Sequence, residues 1–358
     1  MPPNPLDPHS SPPPTSISLL TLPITGLLVD IYGLANLPAT ANSISCLWLH
    51  HPRSRRKEDM ASFARAAVSA FNSSPSSQRN PDKGLIALVY DQRNHGSRLV
   101  DEKSNGAWRE GNERHAQDMF GVIAGGVGDQ EGLIGAVGGY LFCDEEDGGE
   151  EKRRKIEQHL VLGVSLGGHS VWQSMFLDER IRAGVAVIGC PDFEYLMRER
   201  ARLSKLATYT KDDGATFVGS KDFPPALVEA CKKLDPKGIL FGAGPIPAPG
   251  ETSEAEQRRL RAILDERVKG KKFLVCHGGD DKLVPYRCSK PFLDWFKDAT
   301  TTWYGDGGVY VEDNVYEGVG HSFSPAMVED ALRFVVDVVA GDETETRNSE
   351  GEAKTSKI

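Results

Sequence analysis

The sequence has little that would hold a fold together covalently or anchor it to a large partner. Six cysteines in 358 residues (Cys46, Cys143, Cys190, Cys231, Cys276 and Cys288) include no CxxC pair. Neither a disulfide framework nor a zinc knuckle is therefore expected. Cys46 and Cys276 lie in apolar runs and read as small buried hydrophobes in a reducing compartment. No apolar run reaches the roughly 18 residues needed to span a bilayer. The N-terminus also lacks the charged and then apolar regions of a secretory signal. Positive charge is not in excess: 42 Lys and Arg stand against 51 Asp and Glu, a net charge of -9. That balance excludes the broad basic surface of a nucleic-acid-binding protein. The one basic run, Arg53 to Lys57, reads as a solvated helix start. No internal repeat is visible.

What remains is a soluble-type composition, 39% hydrophobic and 26% charged, in which short apolar runs alternate with helical periodicity. Strand-like runs fall at 17–22, 27–32, 44–49, 85–90, 160–164, 183–188, 272–276 and 309–315. Several are apolar throughout, as in parallel strands covered on both faces. Helical patterns lie between them at 58–71, 115–123, 168–176, 290–296 and 325–339. This alternation predicts an α/β fold with a doubly wound, mostly parallel sheet. The first two strands are joined without a helix, which predicts an antiparallel start. The stretch from about 192 to 270 interrupts the rhythm and is mostly helical. It is expected to be a cap inserted into one domain spanning 16–340. The Pro-rich residues 1–15 and the charged residues 341–358 read as unstructured tails, and 144–155 as an exposed loop.

Chemistry concentrates at three points. Gly163-Val164-Ser165-Leu166-Gly167-Gly168 follows a strand-like run and opens a helical one. A serine in that context sits on a turn too tight for neighbouring side chains, with its hydroxyl lifted off the sheet edge. The helix that follows offers free N–H groups, so Leu166 is a candidate oxyanion donor. A serine needs a base, and His321 lies in a loop between the last strand and the last helix. The imidazole in turn needs an acid. Asp281, after the strand at 272–276, is the candidate, with Asp280 as its neighbour and rival.

The order Ser165, Asp281, His321 resembles that of the α/β-hydrolase superfamily. His277 to Pro285 (HGGDDKLVP) looks like its HGxxDxxVP acid loop, which places the acid at Asp281. Tyr90 to Gly96 (YDQRNHG) resembles its DxRGHG turn. The resemblance covers roughly 27–190 and 272–340. It implies a serine hydrolase that cleaves an ester, thioester or amide of a small acyl substrate through an acyl-enzyme, with no cofactor and no metal. Two positions depart from the pattern. The third strand ends His50-His51-Pro52-Arg53, and Pro52 has no N–H to give. Arg53 is then the candidate second oxyanion donor. Asn94 stands where the turn has its first glycine.

Two other readings remain open at this level: a lyase or C–C hydrolase on the same scaffold, or a non-catalytic ligand-binding relative. His50, His51 and His95 lie on separate loops without nearby acids and are not expected to hold a metal. The final Ser356-Lys357-Ile358 differs from the peroxisomal Ser-Lys-Leu address in its last residue, so both a cytoplasmic location and recognition by a peroxisomal import receptor are expectations.

Overall fold

The computed structural model describes residues 5–6, 17–143 and 153–341. The C-terminal tripeptide, the charged tail beyond Gly341 and residues 144–152 of the expected loop lie outside them. Of the Pro-rich segment, Pro5 and Leu6 are described. Pro5 is buried, and its carbonyl accepts a hydrogen bond from Phe323 N–H at 2.7 Å.

Eight strands form one sheet: β1 (Leu19–Ile24), β2 (Leu27–Tyr32), β3 (Ser43–His50), β4 (Lys83–Tyr90), β5 (Lys155–Val164), β6 (Ile181–Val187), β7 (Lys272–Gly278) and β8 (Tyr310–Tyr316). Their order is β1-β2-β4-β3-β5-β6-β7-β8. β1 and β2 pair antiparallel, β2 meets β4 antiparallel, and every later pairing is parallel. This is the strand arrangement of the α/β-hydrolase fold, with the antiparallel start that the short first connection predicts.

The helices are α1 (Ala61–Asn72), α2 (Pro75–Arg79), α3 (His115–Leu141), α4 (Leu166–Leu177), α5 (Phe193–Leu203), α6 (Ala207–Thr210), α7 (Pro225–Leu234), α8 (Pro236–Phe241), α9 (Glu254–Arg267), α10 (Tyr286–Thr301) and α11 (Pro325–Ala340). They cover the sheet on both faces, which is why the central strands β3, β4, β6 and β7 are buried at nearly every position. In β3, Cys46 and Trp48 join a core shared with α3, α4, α8, α9 and α10. Leu47 and Leu49 point the other way, into a core shared with α1 and α11. The period-2 geometry of a strand serves two cores at once.

Helix α3 extends far beyond the 115–123 expected from periodicity. Repeated glycines, with a low intrinsic helix preference, break its apolar pattern from Gly121 onward. Packing overrides that preference: the Tyr90 hydroxyl donates to the Gly126 carbonyl at 2.7 Å, and Leu133, Ile134 and Val137 are buried against the sheet.

The long insertion divides by what it packs against. Leu240, Leu260, Leu264 and Val268, from α8, α9 and the turn after α9, join the sheet core. The preceding part, with α5 and α7, buries Phe193, Leu196, Met197, Phe217, Phe223 and Leu227 in a separate cluster. That cluster also takes Trp108 and Phe120 from the chain before β5, so this smaller portion sits over the sheet edge as a cover.

A buried aromatic cluster lies between α4, β7 and α10. Phe176 is fully buried, with ring centroids 6.5, 6.2 and 6.2 Å from those of Phe273, Phe292 and Phe296. Replacing Phe176 by alanine leaves a cavity that these rings cannot close, and should cost about 3–5 kcal/mol. A urea-unfolding midpoint within error of the wild type would show that the cluster is not close-packed.

Candidate active site

Ser165 sits at the turn between β5 and α4 with φ 56° and ψ -110°. A non-glycine residue held there costs on the order of 1–3 kcal/mol and persists only where its surroundings enforce it. Here the enforcement is a close meeting of backbones. A Cβ on Gly163 would lie 2.2 Å from the Gly167 carbonyl oxygen, and one on Gly167 would lie 2.2 Å from the His50 carbonyl oxygen. The spacing of glycines around Ser165 is therefore a packing requirement. The Ser165 N–H is fixed to the Val187 carbonyl at 2.9 Å.

The turn brings Ser165 Oγ to 2.8 Å from His321 Nε2. His321 Nδ1 lies 2.8 Å from Asp281 Oδ2. A carboxylate can only accept, so Nδ1 carries the proton and Nε2 is the acceptor for the serine hydroxyl. The other Asp281 oxygen accepts from the N–H groups of Leu283 at 2.8 Å and Val284 at 3.0 Å. Burial opposes ionisation of Asp281, but the His321 hydrogen bond and charge, with these two N–H groups, hold its pKa below the ordinary 3.8. Asp280 is exposed, and only its backbone N–H, donated to the Val319 carbonyl, ties it to the histidine loop. Of the two neighbouring acids, the structure brings Asp281 to His321. The two loops can meet because Gly278 has no Cβ: one there would lie 2.3 Å from the Gly320 carbonyl oxygen.

The serine hydroxyl opens into a cavity of about 830 Å³. Its wall includes Ser165, Leu166 and His321, the Pro52–Arg56 stretch, parts of the 95–110 loop, and Arg200 and Leu203 of α5 with Ser204 just after it. Both sequence candidates for oxyanion donors, Leu166 and Arg53, border it. Leu166 is the first residue of α4, where N–H groups have no partner within the helix. The loop carrying Pro52 and Arg53 is pinned by Gln92. The Gln92 side-chain amide donates to the His51 carbonyl, and its backbone N–H donates to His51 Nε2 at 3.1 Å.

The YDQRNHG turn beside this loop accommodates its departure from the family pattern. Asn94 adopts φ 58°, a left-handed conformation that asparagine tolerates better than most residues. Its side chain also accepts from the N–H groups of Val100 and Asp101 and donates to the Asp101 carbonyl. Asn94 thus staples the cavity's 95–105 wall in a way that glycine cannot. Asp91 accepts from Lys57 N–H at 2.9 Å and from Ser97 N–H at 2.8 Å.

The remaining histidines serve the framework. His50 Nε2 meets Gln130 Oε1 at 2.8 Å, and His51 Nδ1 donates to the Pro52 carbonyl at 2.8 Å. Burial pulls their pKa values down to about 4 and about 3. His95 Nδ1 donates to the Arg93 carbonyl. His169, one turn into α4, accepts from Cys190 N–H at 2.9 Å, and burial lowers its pKa to about 3. All four are neutral at physiological pH.

Sequence reasoning passed over Arg200. In helix α5 Phe193, Leu196 and Met197 pack inside the cover, while the polar Arg200, and Ser204 just after the helix, line the cavity. The MRERARL run carries charges of both signs and gives no local signal for which one turns inward.

No family profile and no curated protein match this chain. Among solved structures it is similar to TT1662 from Thermus thermophilus, at 15% identity over 92% of this chain and 100% of that one, with a TM-score of 0.49. It is also similar to the Pyrococcus furiosus esterase Pf2001, at 14% identity over 90% and 92% of the two chains, TM-score 0.43. A third is Porphyromonas gingivalis dipeptidyl peptidase 4, at 12% identity over 91% of this chain, TM-score 0.47; there the chain spans 36% of the larger protein.

The depressed pKa of Asp281 gives a signed prediction. A carboxylate whose folded pKa lies below its unfolded value stabilises the fold above the unfolded value, and that stabilisation is lost as the pH falls through the folded one. Asp281→Asn should therefore cost on the order of 2 kcal/mol near pH 7, and the difference from wild type should shrink as the pH drops below 3.8. Urea titrations from pH 7 to pH 3 measure this. A difference that stays constant across that range would mean Asp281 is not held ionised by these bonds.

Proposed function

We propose that this chain is a serine hydrolase that cleaves an ester, thioester or amide through an acyl-enzyme intermediate on Ser165. The observation that carries the reading is the unbroken chain from Ser165 Oγ to His321 to Asp281, with both contacts at 2.8 Å, on the wall of a cavity large enough for a small acyl substrate.

In this reading the substrate carbonyl lies over Ser165. As Oγ attacks the carbonyl carbon, its proton passes to His321 Nε2, and Asp281 stabilises the imidazolium and holds the ring in place. The Leu166 N–H, with Arg53 N–H as second donor, takes the developing oxyanion. His321 then returns the proton to the leaving group. In the second half-reaction it draws a proton from water, which attacks the acyl carbon and releases the acid while Ser165 Oγ is reprotonated. The steps need no metal or redox group. The cover formed by α5 to α7 would limit which acyl groups reach Ser165.

A fluorophosphonate probe with intact-mass readout tests the nucleophile. The wild type should gain one adduct, and Ser165→Ala none. His321→Ala should label far more slowly, since removal of one triad member costs several orders of magnitude in comparable sites, about 10⁶-fold for the base. A folded wild type that stays unlabelled, or a Ser165→Ala variant that labels equally, would sink the proposal.

A further inference from the structure

The protein carries a net charge of -9, yet the cavity above Ser165 is lined by six cationic side chains and three carboxylates. Arg56, Arg109 and Lys282 are exposed, and Arg55 is half-buried. Arg53 and Arg200 are half-buried, and their situation is unusual. Among the described residues, neither guanidinium has a carboxylate within 4.0 Å.

Helix α5 makes the contrast plain. Its outward arginines are paired, Arg198 with Glu194 at 3.0 Å and Arg202 with Glu199 at 3.0 Å. Arg200, between them, turns to the cavity and finds only neutral acceptors: His115 Nε2 at 3.2 Å, Met119 Sδ at 3.0 Å and the Leu283 carbonyl at 3.3 Å. Arg53 donates to the Asn105 carbonyl at 2.9 Å. The nearest acids are already engaged. Asp281 is bonded to His321, Leu283 and Val284, and Glu110 accepts from Ala107 N–H at 2.6 Å.

Two partly desolvated guanidiniums lining one cavity, without counter-ions, are costly to maintain. Burial, together with repulsion from Arg53, pulls the pKa of Arg200 down to about 9, so it remains charged at neutral pH while its stability suffers. An anion entering the cavity would relieve both costs, and the planar guanidinium fork suits the paired oxygens of a carboxylate or phosphate.

Resting on the hydrolase reading, we propose that the substrate bears an anionic oxygen group, a carboxylate or a phosphate, held by Arg53 and Arg200 while its acyl carbon meets Ser165. Arg200 is then the specificity residue of the cover, and the reaction that supplies the substrate is one that esterifies or amidates an acid already carrying a second charge.

Two measurements test this on the full chain. The first needs no catalysis: calorimetric titration of glutarate, and separately of inorganic phosphate, at low ionic strength. Wild type and Ser165→Ala should bind at least one of them equally, and the anion that binds identifies the group. Arg200→Gln and Arg53→Gln should bind it at least tenfold more weakly, and Arg200→Lys should fall between. The second compares mono-4-nitrophenyl glutarate with its methyl ester. Wild type should favour the free acid in kcat/KM by tenfold or more, and the ratio should fall toward one in Arg200→Gln. A purely structural role for Arg200 would lower both rates and leave the ratio intact. Thermal melts of each variant show that it is folded. Binding of neither anion by folded wild type, or binding and ratio unchanged in both arginine variants, overturns the proposal. Anion binding without fluorophosphonate labelling of Ser165 removes the hydrolase reading and leaves the anion site. Labelling without anion binding does the reverse.

Discussion

Ser165 is held at φ 56° by three backbone segments that meet where no side chain fits: the end of β5, the first turn of α4 and the end of β3. The Gly167 carbonyl crowds Gly163, and the His50 carbonyl crowds Gly167. Further along, Gly168 lies against the Val187 carbonyl of β6. A strained residue cannot relax when its neighbours on every side are main chain, because main chain is held by sheet pairing and does not repack as a side chain does. The serine hydroxyl therefore projects from the sheet edge, and the other functional groups are arranged around that fixed point.

The same region divides its histidines by environment. His50, His51, His95 and His169 are enclosed, and burial drives each toward the neutral form. Their ring nitrogens bond carbonyls, amides or Gln130 and so brace the loops around the cavity. His321 is the histidine joined to both a serine hydroxyl and a carboxylate. An imidazole in that position can exchange a proton with a hydroxyl, whereas a buried imidazole with neutral partners serves to hold shape.

The cover above the sheet has its own apolar cluster, in which Phe193, Phe217 and Phe223 pack with Trp108 and Phe120. Because that cluster is satisfied internally, helix α5 is free to turn polar residues toward the cavity. An acidic chain thus lines this cavity with more cationic than acidic side chains, while the Glu194 and Glu199 carboxylates of α5 pair with Arg198 and Arg202 of the same helix.

The strand-and-helix alternation, the antiparallel start, the glycine-flanked Ser165 and the loops bearing Asp281 and His321 were all legible in the sequence. Each rests on local periodicity or on a residue type that one turn geometry demands. The length of α3 was not legible, because its glycines mask a helix that exists through contact with β4 and α4. The division of the 192–270 stretch into a sheet-packing part and a cover was hidden for a similar reason: both parts are amphipathic, and periodicity does not name the partner. Tertiary structure alone decided that Asp281 rather than exposed Asp280 meets His321, and that Arg200 rather than Phe193 or Met197 faces the cavity. These are choices between nearby positions on one loop or helix, made by contacts with segments 40 to 156 residues away, which no short-range pattern encodes.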